Sequence, residues 1–329
     1  MTTDTTGTPA GAATASPAPP SDQHAAPPGA ADRSRRTWRG TLSALPWIGP
    51  SLALIALIVL FPAGVMIVNS TRDIASSGVD RGSAGLENYA DVLAIEALPR
   101  VLLNTVVWVV VVVGLTVVIS LALANLLDKQ FPGRQLVRLA VIVPWAASVV
   151  MTTTVVYYGL QPNYGIFNQL LADVGILEVA DYGFTKNATS AFLVAIVVAV
   201  FVSLPFTTYT ILAGLQAVPH EVVEAARMDG ASRARAYFSV ILPQLKPALS
   251  VAALINIINV FNSLPILRIM TGSIPGYDAD TTTTLIFKLI QSDRRVDLAS
   301  ALSVVNFAIV VLVIVAYLRI VKPMKGVDE

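Results

Sequence analysis

Glu224-Ala-Ala-Arg-Met-Asp-Gly-Ala-Ser-Arg-Ala-Arg-Ala-Tyr-Phe-Ser-Val-Ile-Leu-Pro243 is a polar segment set between two long apolar runs in a chain of 329 residues. Its residues predict a helix, a sharp turn and a second short helix. Pro219 suits a first helical position, where a missing N–H is no loss. Glu221 and Glu224 fall in the opening turns, where the helix dipole favours negative charge. Gly230 can end that helix in a left-handed conformation that residues with a Cβ reach only with strain. The second helix carries Arg233, Arg235, Tyr237 and Phe238, and Pro243 is expected to stop it. Ala225 and Ala226 leave little bulk, so another surface could approach closely. The segment reads as a docking element and offers no catalytic chemistry.

The surroundings are lipid-compatible. Hydrophobic residues make up 55% of the chain and charged residues 13%, with a mean hydropathy of +0.69. Soluble domains usually carry about 25% charge, so lipid is the main solvent. The net charge of +1 and the scattered basic residues give no nucleic-acid footprint. With no cysteine, disulfides, thiol catalysis and cysteine metal sites are excluded. Residues 1–40 form an Ala/Pro-rich tail with too little apolar surface to offset its ordering entropy, and are expected to be disordered.

Residues 41–329 then read as an all-α integral membrane unit. Six runs reach the roughly 20 residues needed to span a bilayer, at about 45–69, 100–126, 137–160, 189–215, 248–270 and 299–321. Arg33, Arg35, Arg36 and Arg39 precede the first run. Lys129, Arg134 and Arg138 join the second to the third. Arg227, Arg233, Arg235 and Lys246 lie between the fourth and fifth, and Arg319, Lys322 and Lys325 follow the last. These are the majority of the 22 basic residues, so both termini and the connecting loop 216–247 are assigned to the cytoplasm. The outer loops fall at about 70–99, 161–188 and 271–298, with a short helix expected near Thr281–Ile290.

In that setting the quoted segment resembles the EAA loop of ABC importer permeases, the binding-protein-dependent inner-membrane components, in a cytoplasmic loop before the penultimate span. The family pattern is Glu-Ala-Ala, three residues, Gly, nine residues, Ile, any residue, Leu-Pro. Here it is met by Glu224, Ala225, Ala226, Gly230, Leu242 and Pro243, with Val240 in place of Ile. Asp229-Gly230-Ala231, Phe238 and Pro247 make the likeness strongest to the carbohydrate-uptake, maltose/trehalose-like branch. The family's Gly-Gly-Pro-like outer element is replaced by Thr271-Gly-Ser-Ile-Pro-Gly276, so details of that loop do not transfer.

The resemblance implies a permease subunit that borrows energy from partners. These are two ATPase subunits carrying ATP and Mg, a second and different permease, and an extracytoplasmic solute-binding protein. Glu224, Ala225, Ala226, Asp229, Gly230, Ala231, Leu242 and Pro243 are then the ATPase-coupling residues. Glu224 corresponds to a Glu that meets a basic residue of the ATPase; the plain alternative is a solvated carboxylate stabilised by the dipole. No G-x-x-x-x-G-K-[ST], H-E-x-x-H or G-x-S-x-G motif occurs, so no catalytic or metal set is proposed and no cofactor is assigned to this chain.

Asn256, Asn259 and Asn262 recur every third residue on the fifth span, followed by Ser263, and would lie near one helical stripe. Amides there suit a hydrated sugar pathway or, alternatively, bonds between helices. Arg268, at the outer end of that span, is expected to snorkel or to pair with a carboxylate. A six-span secondary carrier or channel explains the hydrophobicity but leaves the 224–243 loop without a role. Within the importer reading the solute could also be a glycerol phosphate, a polyamine or a peptide.

Overall fold

The computed structural model describes residues 46–177 and 182–321; the 1–40 tail, Lys322 and Lys325 lie outside the described residues. The chain divides into two units at Phe61–Pro62. Helix α1, Pro46–Asn69, crosses that division and is apolar along its length. Its residues Ala56–Leu60 form a π-turn in which the Phe61 N–H donates to the Ala56 carbonyl. The wider turn comes immediately before Pro62. It shifts the hydrogen-bond register where proline has no N–H to give and would crowd the carbonyl four residues back.

In the second unit a small hairpin pairs β1, Arg72–Ile74, with β2, Asp80–Ser83. It is the one sheet among the described residues, and its strands are too short for their alternation to stand out in sequence. The Gly82 N–H and the Arg72 guanidinium both bond the Asp80 carboxylate and hold its pKa below the usual range. Helix α2, Glu87–Ala94, packs behind the hairpin, where Asn88 donates to the carbonyls of Ser70 and Arg72 at 3.0 and 2.8 Å.

The frame is built from α3, Leu98–Asp128, and α7, Ala188–Gln216, which make the most extensive helix–helix contact. Between them run α4, Arg134–Ala146, α5, Val149–Gly159, and α6, Ile166–Asp173. After α7 come α8, His220–Met228, and α9, Arg233–Gln244. Then follow α10, Lys246–Phe261, α11, Leu264–Thr271, α12, Thr282–Gln291, and α13, Val296–Val321. Helix α12 falls within a residue of its expected position, and Thr281 and Thr284 close a capping box at its start.

Four helices, α1, α3, α7 and α13, are long and apolar enough to cross a membrane, or up to six spans if each bent pair counts as one. The run 137–160 is not continuous. It is α4 and α5, bent by 95°, because Ala147 and Ser148 adopt extended backbone three and four residues after Pro144. The run 248–270 is likewise divided into α10 and α11 at Asn262–Ser263. Pro205, by contrast, lies inside α7 without interrupting it.

The core joins Trp108 and Val112 of α3, Ala195 and Ala199 of α7, Val260 and Phe261 of α10, and Leu267 and Met270 of α11. Gly214 lets α7 and α10 meet closely, since a Cβ there would lie 2.4 Å from the Cβ of Ala248. At the α10–α11 break the Asn262 and Ser263 N–H groups reach the Ile258 and Val260 carbonyls, and side chains add further donors. The Trp108 indole N–H donates to Val260 O at 2.9 Å, Thr283 to Phe261 O at 3.1 Å, and the Asn262 amide to Ile258 O at 2.9 Å. Trp108→Phe leaves the Val260 carbonyl without its indole donor. The Ser263 N–H still reaches that carbonyl at 3.2 Å, so the change should destabilise the bundle by about 0.5–1.5 kcal/mol, read as a lower unfolding midpoint in detergent with the helical content unchanged.

Candidate functional site

The 216–247 segment is a projecting loop fixed at its ends. Pro219 is extended and caps α8, one residue earlier than its expected helical place. Glu221 is in the first turn and Arg227 in the last, both in the sense the dipole favours. Gly230 has φ +80°. Around it the Ala231 N–H donates to Ala226 O and the Gly230 N–H to Arg227 O, both at 3.0 Å. This pair of bonds is the Schellman closure, and it needs the left-handed residue. The Ser232 hydroxyl then accepts the Arg235 N–H and starts α9.

Pro243 does not stop the second helix. Residues Tyr237–Ile241 form a π-turn, the Leu242 N–H reaches back to Tyr237 O, and α9 continues to Gln244. The device is that of Phe61–Pro62: the register shifts one residue before the proline. The bend comes instead at Leu245, where α9 and α10 meet at 62°.

Helix α8 buries none of its residues. Glu224, Ala225, Asp229 and Gly230 are exposed and Ala226 and Ala231 half-buried; Met228 and Phe238 are 88% and 65% exposed. Among the described residues Glu224 has no ion-pair partner. The anchoring comes from α9. Ala236 is buried, and the Tyr237 hydroxyl accepts a 2.7 Å bond from the Asn125 amide of α3. Leu242 is half-buried and Pro243 exposed.

The four pathway candidates separate. Asn256 is buried and donates to Thr207 Oγ1 of α7 at 2.6 Å and to Ala252 O at 2.9 Å. Asn262 leaves the stripe, because α10 ends at Phe261 and its amide caps that end. Asn256, Asn259 and Ser263 line a cavity of about 300 Å³ with Trp145, Ser203 and Phe206. These last three escaped sequence reading. Trp145 reaches the cavity because the chain breaks just after it, and Ser203 carries no periodic cue within an apolar run.

Arg268 pairs with no carboxylate among the described residues. Its guanidinium lies over the Phe287 ring, 3.8 Å from the centroid.

With this geometry in place the likenesses are specific. Residues 38–323 match the family described as binding-protein-dependent transport system inner membrane component. The chain belongs to that family. It is 33% identical over 271 residues to a probable ABC transporter permease protein of Brucella suis biovar 1, covering 82% of this chain and 93% of that one. It is 30% identical over 272 residues to the trehalose/maltose transport system permease protein MalF of Thermococcus litoralis, covering 82% and 90%. Its fold matches a chain in the crystal structure of a bacterial ABC transporter that imports the acidic polysaccharide alginate. There the TM-score is 0.73 at 18% identity, covering 88% of this chain and all of the other. The protein is therefore an inner-membrane permease component of a binding-protein-dependent ABC transport system.

Gly230→Ala places a Cβ on a left-handed residue, at a cost of about 1–2 kcal/mol. Hydrogen exchange should quicken at the Gly230 and Ala231 amides and stay unchanged in α3 and α7.

Proposed function

We propose that this permease imports a sugar or oligosaccharide handed over by a solute-binding protein, and couples to separate ATPase subunits through the 224–243 loop. The observation that carries the coupling role is α8. It buries none of its residues within its own chain, yet is held in one geometry by the Gly230 turn and by α9. A helix so positioned and left uncovered fits a cleft on another subunit. The exposed Glu224 then offers a carboxylate to a basic group of the ATPase, and the small Ala225 and Ala226 permit close approach. Removing one member of a buried pair costs about 3–5 kcal/mol, enough to lose assembly.

In this reading ATP and Mg belong to the ATPase pair, and a second, different permease completes the pathway. The chain's own helices carry the solute without an ATPase site of their own. The distribution of Lys and Arg supports cytoplasmic termini and a cytoplasmic 216–247 loop. The trehalose/maltose relative supports a sugar as solute. The cavity supports it further: Asn259 and Ser263 can both donate to and accept from sugar hydroxyls, and Asn256, whose amide N–H groups are engaged within the protein, offers its oxygen as an acceptor.

The test is purification of tagged chain from its native membrane in mild detergent. Wild type should bring with it a P-loop ATPase and a second permease, and a Glu224→Ala/Gly230→Pro double variant should insert normally but lose the ATPase. A chain that purifies alone and transports on an ion gradient would overturn the proposal.

A further inference from the structure

A second cavity, of about 390 Å³, opens between α11 and α12 and has no part in the sugar-pathway argument. Its volume falls in the range of small-molecule sites. Three charged groups line it, and they do not balance. Lys288 Nζ is 2.6 Å from the buried Asp280 carboxylate and donates at 2.7 Å to Gly276 O. That pair is neutral overall, and it ties the 276–280 turn to α12. The turn is held from the other side by the Asn104 amide of α3, which donates to the carbonyls of Asp278 and Asp280 at 2.8 and 3.0 Å. The cavity wall is therefore built rigidly from three elements.

Arg268 supplies the remaining charge. No carboxylate lies within 4.0 Å of its guanidinium among the described residues. The Phe287 face supports the plane of the group, which leaves the N–H edge as its hydrogen-bonding surface. Gln291 and Ser292 add an amide and a hydroxyl to the same cavity. A fixed guanidinium fork with one net positive charge matches the two oxygens of a carboxylate, sulfonate or phosphate. Neighbouring amide and hydroxyl groups match a polyol.

We infer that the cavity between α11 and α12 binds the anionic group of a carboxylated, sulfonated or phosphorylated sugar-type solute, with Arg268 as its principal ligand. The inference rests on the sugar-import reading and narrows it to solutes carrying an acidic group. Lys288 and Asp280 shape the wall, and Phe287 positions Arg268.

The tagged full-length chain, with whatever subunits co-purify, is placed in phosphatidylcholine nanodiscs without binding protein and without nucleotide. Equilibrium binding of radiolabelled glucuronate is compared with that of glucose. Wild type should prefer glucuronate by about ten-fold or more, the worth of one charge-assisted pair. Arg268→Gln should abolish the preference, Arg268→Lys should keep part of it, and Phe287→Leu should weaken it with the charge retained. Equal affinity of wild type for the two sugars would overturn the inference, as would a preference that survives Arg268→Gln. A preference that appears only when the binding protein is added, and is lost in Arg268→Gln, would also overturn it by assigning Arg268 to an acidic side chain of that protein. The readout needs no ATP, so failure to recover an ATPase sinks the coupling proposal and leaves this measurement standing.

Discussion

Every backbone carbonyl released by a helix break inside an apolar bundle must find a donor, because lipid supplies none. This constraint organises the permease. At the end of α10 the donors are Trp108 of α3, Thr283 of α12, and the Asn262 amide and the Asn262 and Ser263 N–H groups of the break itself. Two further helices, α3 and α12, are thereby fixed to one break, and the cavity bearing Asn256, Asn259 and Ser263 lies beside it. The break is tolerated because it is satisfied, and it supplies polar groups where an unbroken helix would present only side chains.

The same constraint is met differently where the chain carries proline. Before Pro62 and before Pro243 the helix widens into a π-turn, so the bond proline cannot make is bypassed and the helix continues. At Pro243 this joins the loop helix α9 mechanically to the start of α10. The Asn125–Tyr237 bond ties the same π-turn to α3. A force applied at α8 thus has two routes into the bundle, one through Leu245 into α10 and one through Tyr237 into α3.

Much of this was legible in the sequence because long apolar runs and a twenty-residue polar segment are strong signals. The turn at Gly230 was legible because few residue types tolerate that conformation. The hairpin at Arg72–Ser83 was not, since three or four residues per strand give alternation no length in which to show. Breaks at Ala147–Ser148 and Asn262–Ser263 were hidden inside apolar runs whose composition is the same bent or straight. Three asparagines at a spacing of three looked like one stripe. The break gave them different work: Asn256 bonds α7, Asn262 caps its own helix, and Asn259 faces the cavity. The place of Arg268 over Phe287 depends on two elements nineteen residues apart, which no local pattern encodes.

The central claim is that α8 is the surface on which the ATPase rests. The chain has no cysteine, so a single cysteine introduced for Ala225 gives one defined attachment point. A short reagent with a maleimide at one end and a photoreactive benzophenone at the other, attached at that cysteine in the assembled importer and illuminated, followed by identification of the joined chains, tests the claim directly. The account predicts an ATPase adduct from position 225 and none from a cysteine placed for Ser292, just after α12. An importer that hydrolyses ATP and transports, yet yields no ATPase adduct from position 225 or yields it equally from position 292, would contradict it.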